Sequence, residues 1–166
     1  MKSTFAPFAK PLYIMSKPIG SFCNLACDYC YYLEKTNLYK NIPKQIMSDE
    51  LLEKFIQEYI NSQTTPQVMF TWHGGETLMR PLSFYKRVVE LQKQYSKGRT
   101  IENSIQTNGT LLTDEWCEFF TKYADRIYFG TDLYNVYFEN LDDYEEVMPA
   151  GHRINLVRKA LEKSED

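Results

Sequence analysis

Three cysteines within eight residues are the densest reactive chemistry in the chain. Cys23, Cys27 and Cys30 follow the spacing C-x3-C-x2-C in Cys23-Asn24-Leu25-Ala26-Cys27-Asp28-Tyr29-Cys30. Thiolates are soft ligands that suit zinc or iron–sulfur clusters. A structural zinc site takes a fourth ligand, usually in paired C-x2-C form. Here only Cys117 or a histidine is left to supply it, and neither is near in sequence. A cubane held by three cysteines leaves one iron open to nitrogen and oxygen donors. The spacing favours iron and sulfide, with zinc as the alternative. A secreted disulfide scaffold usually carries more cysteines, more widely spread. Close-set thiols in a chain that opens without an apolar leader point to a reducing cytoplasm.

Two further segments carry polar groups at positions where chains turn. One is Thr71-Trp72-His73-Gly74-Gly75-Glu76-Thr77-Leu78, the other Gln106-Thr107-Asn108-Gly109. Each residue has a plain structural reading beside a functional one. Gly74-Gly75 fits a strand-end turn, and Asn108-Gly109 fits a turn as well. Glu76 fits a carboxylate in the first turn of a helix. His73 reads as a loop or packing histidine. Cys117, between Trp116 and Phe120, reads as a buried structural thiol.

The elements that must position these groups alternate between strand and helix. Leu12 to Met15 reads as a first strand and Gln67 to Trp72 as a second. Ile101 to Gln106 and Ile127 to Phe129 follow as the third and fourth. Ser48 is a good N-cap, with Asp49 and Glu50 in the first turn and Leu51, Leu52, Phe55, Ile56 and Tyr59 at helical spacing. Pro81 to Tyr95 reads as a helix facing inward through Phe84, Val88, Val89 and Leu91. A third helix runs from Thr113-Asp114 through Tyr123, and a last one from Pro149 to Lys163. This order predicts right-handed βα units and a parallel sheet, with functional groups after the strands at its C-terminal edge. All three polar segments fall there, which predicts one shared site.

The chain has 166 residues, 19 Lys and Arg against 22 Asp and Glu, and a net charge of −3. That balance gives no sign of a nucleic-acid or membrane partner. No apolar run reaches the roughly 18 residues of a transmembrane helix.

The cysteine loop, with Tyr29 just before its last cysteine, resembles the cluster loop of radical S-adenosylmethionine enzymes. Lys17-Pro18-Ile19-Gly20, Cys27 to Leu33, Thr71 to Leu78 and Gln106 to Gly109 are similar to the anaerobic sulfatase-maturating subfamily, over about residues 5–120. The resemblance implies an α/β fold, a partial (β/α) TIM-like barrel of about four parallel units, truncated against the family's six. It implies a [4Fe–4S] cluster on Cys23, Cys27 and Cys30, and S-adenosylmethionine chelated to the open iron. Gly74, Gly75 and Glu76 would receive the amino group, the backbone at Tyr29 would approach the adenine, and Gln106 and Asn108 would line the pocket. An electron from the cluster would cleave the cofactor's C–S bond. The resulting 5′-deoxyadenosyl radical would take a β-hydrogen from a cysteine or serine of an unfolded sulfatase segment, giving formylglycine. A flavodoxin or ferredoxin would supply the electron. The family's catalytic base and ribose-binding residues are expected to lie outside this stretch, so a catalytically inactive, truncated cluster- or metal-binding fragment is the alternative.

Two regions are expected: residues 1–122 as the N-terminal part of the radical core, and 123–166 as a divergent βα segment. The latter resembles the closing strand and helix of amidohydrolase barrels, without their metal histidines. A fourth strand at the end of an open sheet leaves an edge exposed to self-pairing. The chain is therefore expected to self-associate unless its last helix covers that edge. Size-exclusion chromatography at rising concentration checks this, and a clean monomer peak at high concentration counts against it.

Overall fold

The computed structural model describes residues 11–27, 30, 32–33 and 46–130. Tyr29 and the helix expected over 149–163 lie outside these, as does everything beyond residue 130. Four strands form one sheet: β1 (Met15–Ser16), β2 (Gln67–Trp72), β3 (Thr100–Gln106) and β4 (Ile127–Gly130). Every neighbouring pair is parallel, in the sequential order β1-β2-β3-β4. Among the described residues three α-helices lie in the connections: α1 (Asp49–Ser62), α2 (Leu82–Tyr95) and α3 (Asp114–Lys122). This is the parallel α/β sheet expected from the alternation of patterns, in the partial-barrel form that the family resemblance implies. No helix among the described residues is long and apolar enough to cross a membrane.

Local chemistry accounts for the helix ends. The Ser48 side chain accepts the Leu51 N–H at 3.2 Å, which satisfies one of the first-turn donors of α1. At its other end the Arg99 guanidinium donates to the carbonyls of Ile60 and Gln63. Pro81 supplies the N-cap position of α2. Its inner face is Phe84, Tyr85, Val88, Leu91 and Gln92, whereas Val89, expected there, is only partly buried. Trp116, Cys117, Phe119 and Phe120 are the buried face of α3, as expected for Cys117.

Strand β1 is shorter than the apolar run that announced it. The Leu12 carbonyl takes side-chain donors, Gln63 Nε2 at 3.1 Å and Tyr59 Oη at 3.1 Å, in place of a ladder partner. Leu12, Tyr13 and Ile14 stay exposed, and pairing starts only at Met15.

The register divides the sheet into two faces. Val68, Phe70 and Trp72 of β2 and Asn103 and Ile105 of β3 face the helices and are buried. The rings of Phe70 and Trp72 stack at 6.0 Å, and Phe55, Phe84 and Tyr85 meet Trp72 edge-on. Edge-to-face pairs of this kind add about 0.5–1.5 kcal/mol each beyond burial. The opposite face carries Met15, Thr71, Ser104 and Tyr128 as one in-register row. Tyr13 Oη meets Thr71 Oγ1 across it at 2.9 Å.

One polar set sits inside the apolar layer. Asn103 Oδ1 accepts from Trp72 Nε1 and from Gln92 Nε2, each at 2.8 Å, and Asn103 Nδ2 donates to Gln92 Oε1 at 3.0 Å. Replacing Asn103 by Leu leaves two buried donors without an acceptor. The expected cost is about 2–4 kcal/mol, read as a lower urea midpoint with an unchanged slope.

Candidate functional site

The site lies where the loops after β1, β2 and β3 meet. The β1 loop carries the cysteines. Cys30 N–H donates to the Cys27 carbonyl at 2.8 Å, so the C-x2-C pair closes a single turn. Leu33 N–H continues it onto the Cys30 carbonyl at 3.1 Å. Cys23, Cys27 and Cys30 are all free thiols and partly buried.

The β2 loop runs against the β1 loop as a short extension of the sheet. His73 N–H donates to Ser16 O at 2.8 Å, Gly75 N–H to Gly20 O at 3.0 Å and Glu76 N–H to Phe22 O at 2.7 Å. This contact explains the paired glycines. A Cβ on Gly75 would lie 1.9 Å from the Phe22 carbonyl oxygen, and one on Gly74 would lie 2.7 Å from that of Gly20. Gly74 also holds φ at +134°, which side chains rarely adopt. The glycines thus admit a close approach by the chain's own backbone.

Glu76 joins the β2 loop to the β3 loop. Its side chain is 0% exposed. Oε1 accepts Leu78 N–H at 2.7 Å and Thr107 Oγ1–H at 2.6 Å, and Oε2 accepts Asn108 N–H at 2.7 Å. It is at once the N-cap of the 3-10 turn Thr77–Met79 and the anchor of the third loop. Burial pushes its carboxyl above the usual range, and the three donors pull it back.

Asn108 then bridges to the cysteines. Its Nδ2 donates to Asn24 Oδ1 at 3.0 Å and to Cys23 Sγ at 3.6 Å. Its Oδ1 accepts Thr110 N–H at 3.0 Å and Thr110 Oγ1–H at 2.7 Å. Asn24 Nδ2 donates in turn to Thr110 Oγ1 at 2.7 Å. Leu25 N–H reaches Cys23 Sγ at 3.4 Å. Burial raises the Cys23 thiol, against the Leu25 N–H, which favours the thiolate. The Glu76 carboxylate raises it further, and the Asn108 amide acts in the other direction.

Gln106 ends β3 on the same face as Ser104, partly buried. His73 accepts the Gly74 N–H on Nδ1 at 2.6 Å, which places its ring proton on Nε2 when neutral. Its ring centroid is 6.2 Å from that of Tyr32, and Lys17 Nζ reaches Tyr32 Oη at 2.6 Å. Sequence reasoning gave no part to Asn24, Thr107 or Thr110. The signal for the threonines was their place around Asn108-Gly109, where hydroxyls bond local backbone. Asn24 had none.

Among the described residues no three His, Cys, Asp or Glu side chains gather where one metal ion could hold them together. A cubane asks for something else, since each thiolate binds its own iron at a separate corner. Three free thiols on one loop supply three separate sulfur ligands of the kind a cubane takes.

Comparison with known proteins gives a coherent set of relatives. The family model of the radical SAM superfamily matches residues 18–165. A serine-type anaerobic sulfatase-maturating enzyme of Bacteroides thetaiotaomicron is 80% identical over 118 residues, 71% of this chain and 28% of that protein. The serine-type enzyme of Klebsiella pneumoniae is 45% identical over 125 residues, 74% of this chain and 30% of that one. The solved structure of native anSMEcpe with bound AdoMet and Kp18Cys peptide superposes with a TM-score of 0.58 at 33% identity. That match covers 69% of this chain and 30% of the other. The chain thus spans about 30% of the length of the curated relatives it matches.

The Glu76 latch has a measurable signature. Glu76→Gln turns an amide NH2 toward at least one of three donors and is expected to cost about 1–3 kcal/mol. The parent's raised carboxyl binds its proton more tightly folded than unfolded. That stability is present below the ordinary value of 4.5 and is lost as pH rises through the folded value. The deficit of Glu76→Gln is therefore expected to be larger at pH 4 than at pH 7. Paired urea titrations read it, and a deficit that grows with pH contradicts this assignment.

Proposed function

This chain belongs to the radical SAM superfamily, and on that premise we propose that it binds a [4Fe–4S] cluster and S-adenosylmethionine in the manner of the anaerobic sulfatase maturases. The observation that carries this reading is the stitched edge of the sheet. Loops bearing Cys23, Gly75–Glu76 and Asn108 come from three successive strands and are joined by direct hydrogen bonds. An edge built this way sets the loop of the proposed cluster ligands beside the proposed cofactor-binding residues.

In this proposal Cys23, Cys27 and Cys30 hold the cluster. When bound, the cluster supplies the electron that cleaves the C–S bond of S-adenosylmethionine. Gly74, Gly75 and Glu76 receive the cofactor's amino group. By the family resemblance the backbone at Tyr29 would approach the adenine, and Gln106 and Asn108 would line the pocket, Gln106 nearer the substrate. The substrate is an unfolded sulfatase segment, and the serine-type relatives favour a serine as its target residue. A flavodoxin or ferredoxin in a reducing cytoplasm is the proposed reductant.

The test is anaerobic reconstitution with iron and sulfide, then dithionite and S-adenosylmethionine, with 5′-deoxyadenosine as the readout. The parent chain is expected to form product and Cys27→Ala to form none. A loaded cluster without product assigns the chain to cofactor binding without turnover. That outcome is the natural alternative for a chain spanning about 30% of its relatives. Failure to bind iron and sulfide at all overturns the proposal.

A further inference from the structure

The hydrogen bonds around Asn108 form a closed ring that fixes its amide in one orientation. Asn108 Nδ2 donates to Asn24 Oδ1, Asn24 Nδ2 donates to Thr110 Oγ1, and Thr110 Oγ1 donates to Asn108 Oδ1. Thr110 N–H adds a second donor to Asn108 Oδ1. Turning the amide over would set oxygen against the Asn24 oxygen and NH2 against the Thr110 N–H. The second Nδ2 hydrogen is therefore held toward Cys23 Sγ, 3.6 Å away. From the other side Glu76 clamps the Asn108 backbone N–H at 2.7 Å. Both amide hydrogens and both acceptor positions of the side chain are thus engaged within the protein.

We infer that Asn108 is a positioning residue for the redox centre. Its amide donates to the Cys23 ligand sulfur and sets the reduction potential of the cluster. This rests on the reading of Cys23, Cys27 and Cys30 as cluster ligands. A hydrogen bond to a ligand sulfur draws negative charge away from the cluster. It therefore stabilises the reduced form, which carries one more negative charge, and raises the potential. The Leu25 N–H at 3.4 Å acts in the same direction but belongs to the backbone. Asn108 is the side-chain donor that substitution can remove.

The experiment is a redox titration of the reconstituted 166-residue chain, followed by electron paramagnetic resonance of the reduced cluster and without S-adenosylmethionine. Asn108→Ala is expected to lower the reduced-to-oxidised ratio at fixed poise about threefold to tenfold, a shift of about 30–59 mV for a one-electron couple. Asn108→Asp, which sets a carboxylate beside the sulfur, is expected to lower it further. Thr110→Val opens the ring but keeps the Asn108 amide, and is expected to give a smaller shift in the same direction. Electron–nuclear double resonance in H2O and D2O gives an independent readout, since one exchangeable proton coupling should vanish in Asn108→Ala. A loaded cluster with equal potentials and unchanged couplings in the parent and all variants overturns the inference while leaving the cluster reading intact. A folded Asn108→Ala chain that cannot load a cluster assigns Asn108 to loop assembly and also overturns it. A parent chain that loads no cluster overturns the underlying reading instead.

Discussion

A single buried carboxylate holds the edge of this sheet together. Glu76 has no exposed surface, yet it accepts from Leu78, Thr107 and Asn108. An ionised carboxyl is costly to bury unless its oxygens are satisfied. Here the compensation comes from two different loops, so the group is tolerable only when both are in place. That dependence makes Glu76 a register device. It fixes the distance between the ends of β2 and β3, and the order of the third loop follows from it.

The same logic runs toward the cysteines. Gly75 lies against the Phe22 carbonyl, where no side chain fits. Backbone bonds from Gly75 and Glu76 then tie the second loop to the first. Asn108 closes the circuit from the third loop to Cys23 and Asn24. Each of the three loops is therefore bonded to the other two. Loops usually carry function because a rigid scaffold presents them. Here the loops supply part of that rigidity themselves.

Behind the edge, the helix-facing side of the sheet is packed with large rings. Phe70 and Trp72 are fully buried, and rings from all three helices surround the core. The Trp72, Asn103 and Gln92 set shows how a polar group is admitted there, with its donors and acceptors paired. The opposite face is far less complete. Met15 and Tyr128 remain 46% and 49% exposed. A parallel sheet ordinarily has both faces covered, and the relatives are more than three times as long as the matched region.

Periodicity and caps were enough to place α1–α3 and strands β2–β4. Ser48 before an acidic first turn, Pro81 before α2 and the apolar run Gln67 to Trp72 are local signals, and local backbone preferences answer to them. The thiol spacing was legible because a C-x2-C turn is itself local, closed here by Cys30 N–H on the Cys27 carbonyl. The start of β1 was misjudged because Tyr59 and Gln63, far along the chain, capture the Leu12 carbonyl. Glu76 was legible as a helix-start carboxylate, but its bonds to Thr107 and Asn108 span 31 and 32 residues. The ring through Asn24, Asn108 and Thr110 joins residues up to 86 apart. Amide orientation and long-range pairing carry no periodic trace. Only the parallel register, which brings successive strand ends side by side, decided that these residues meet.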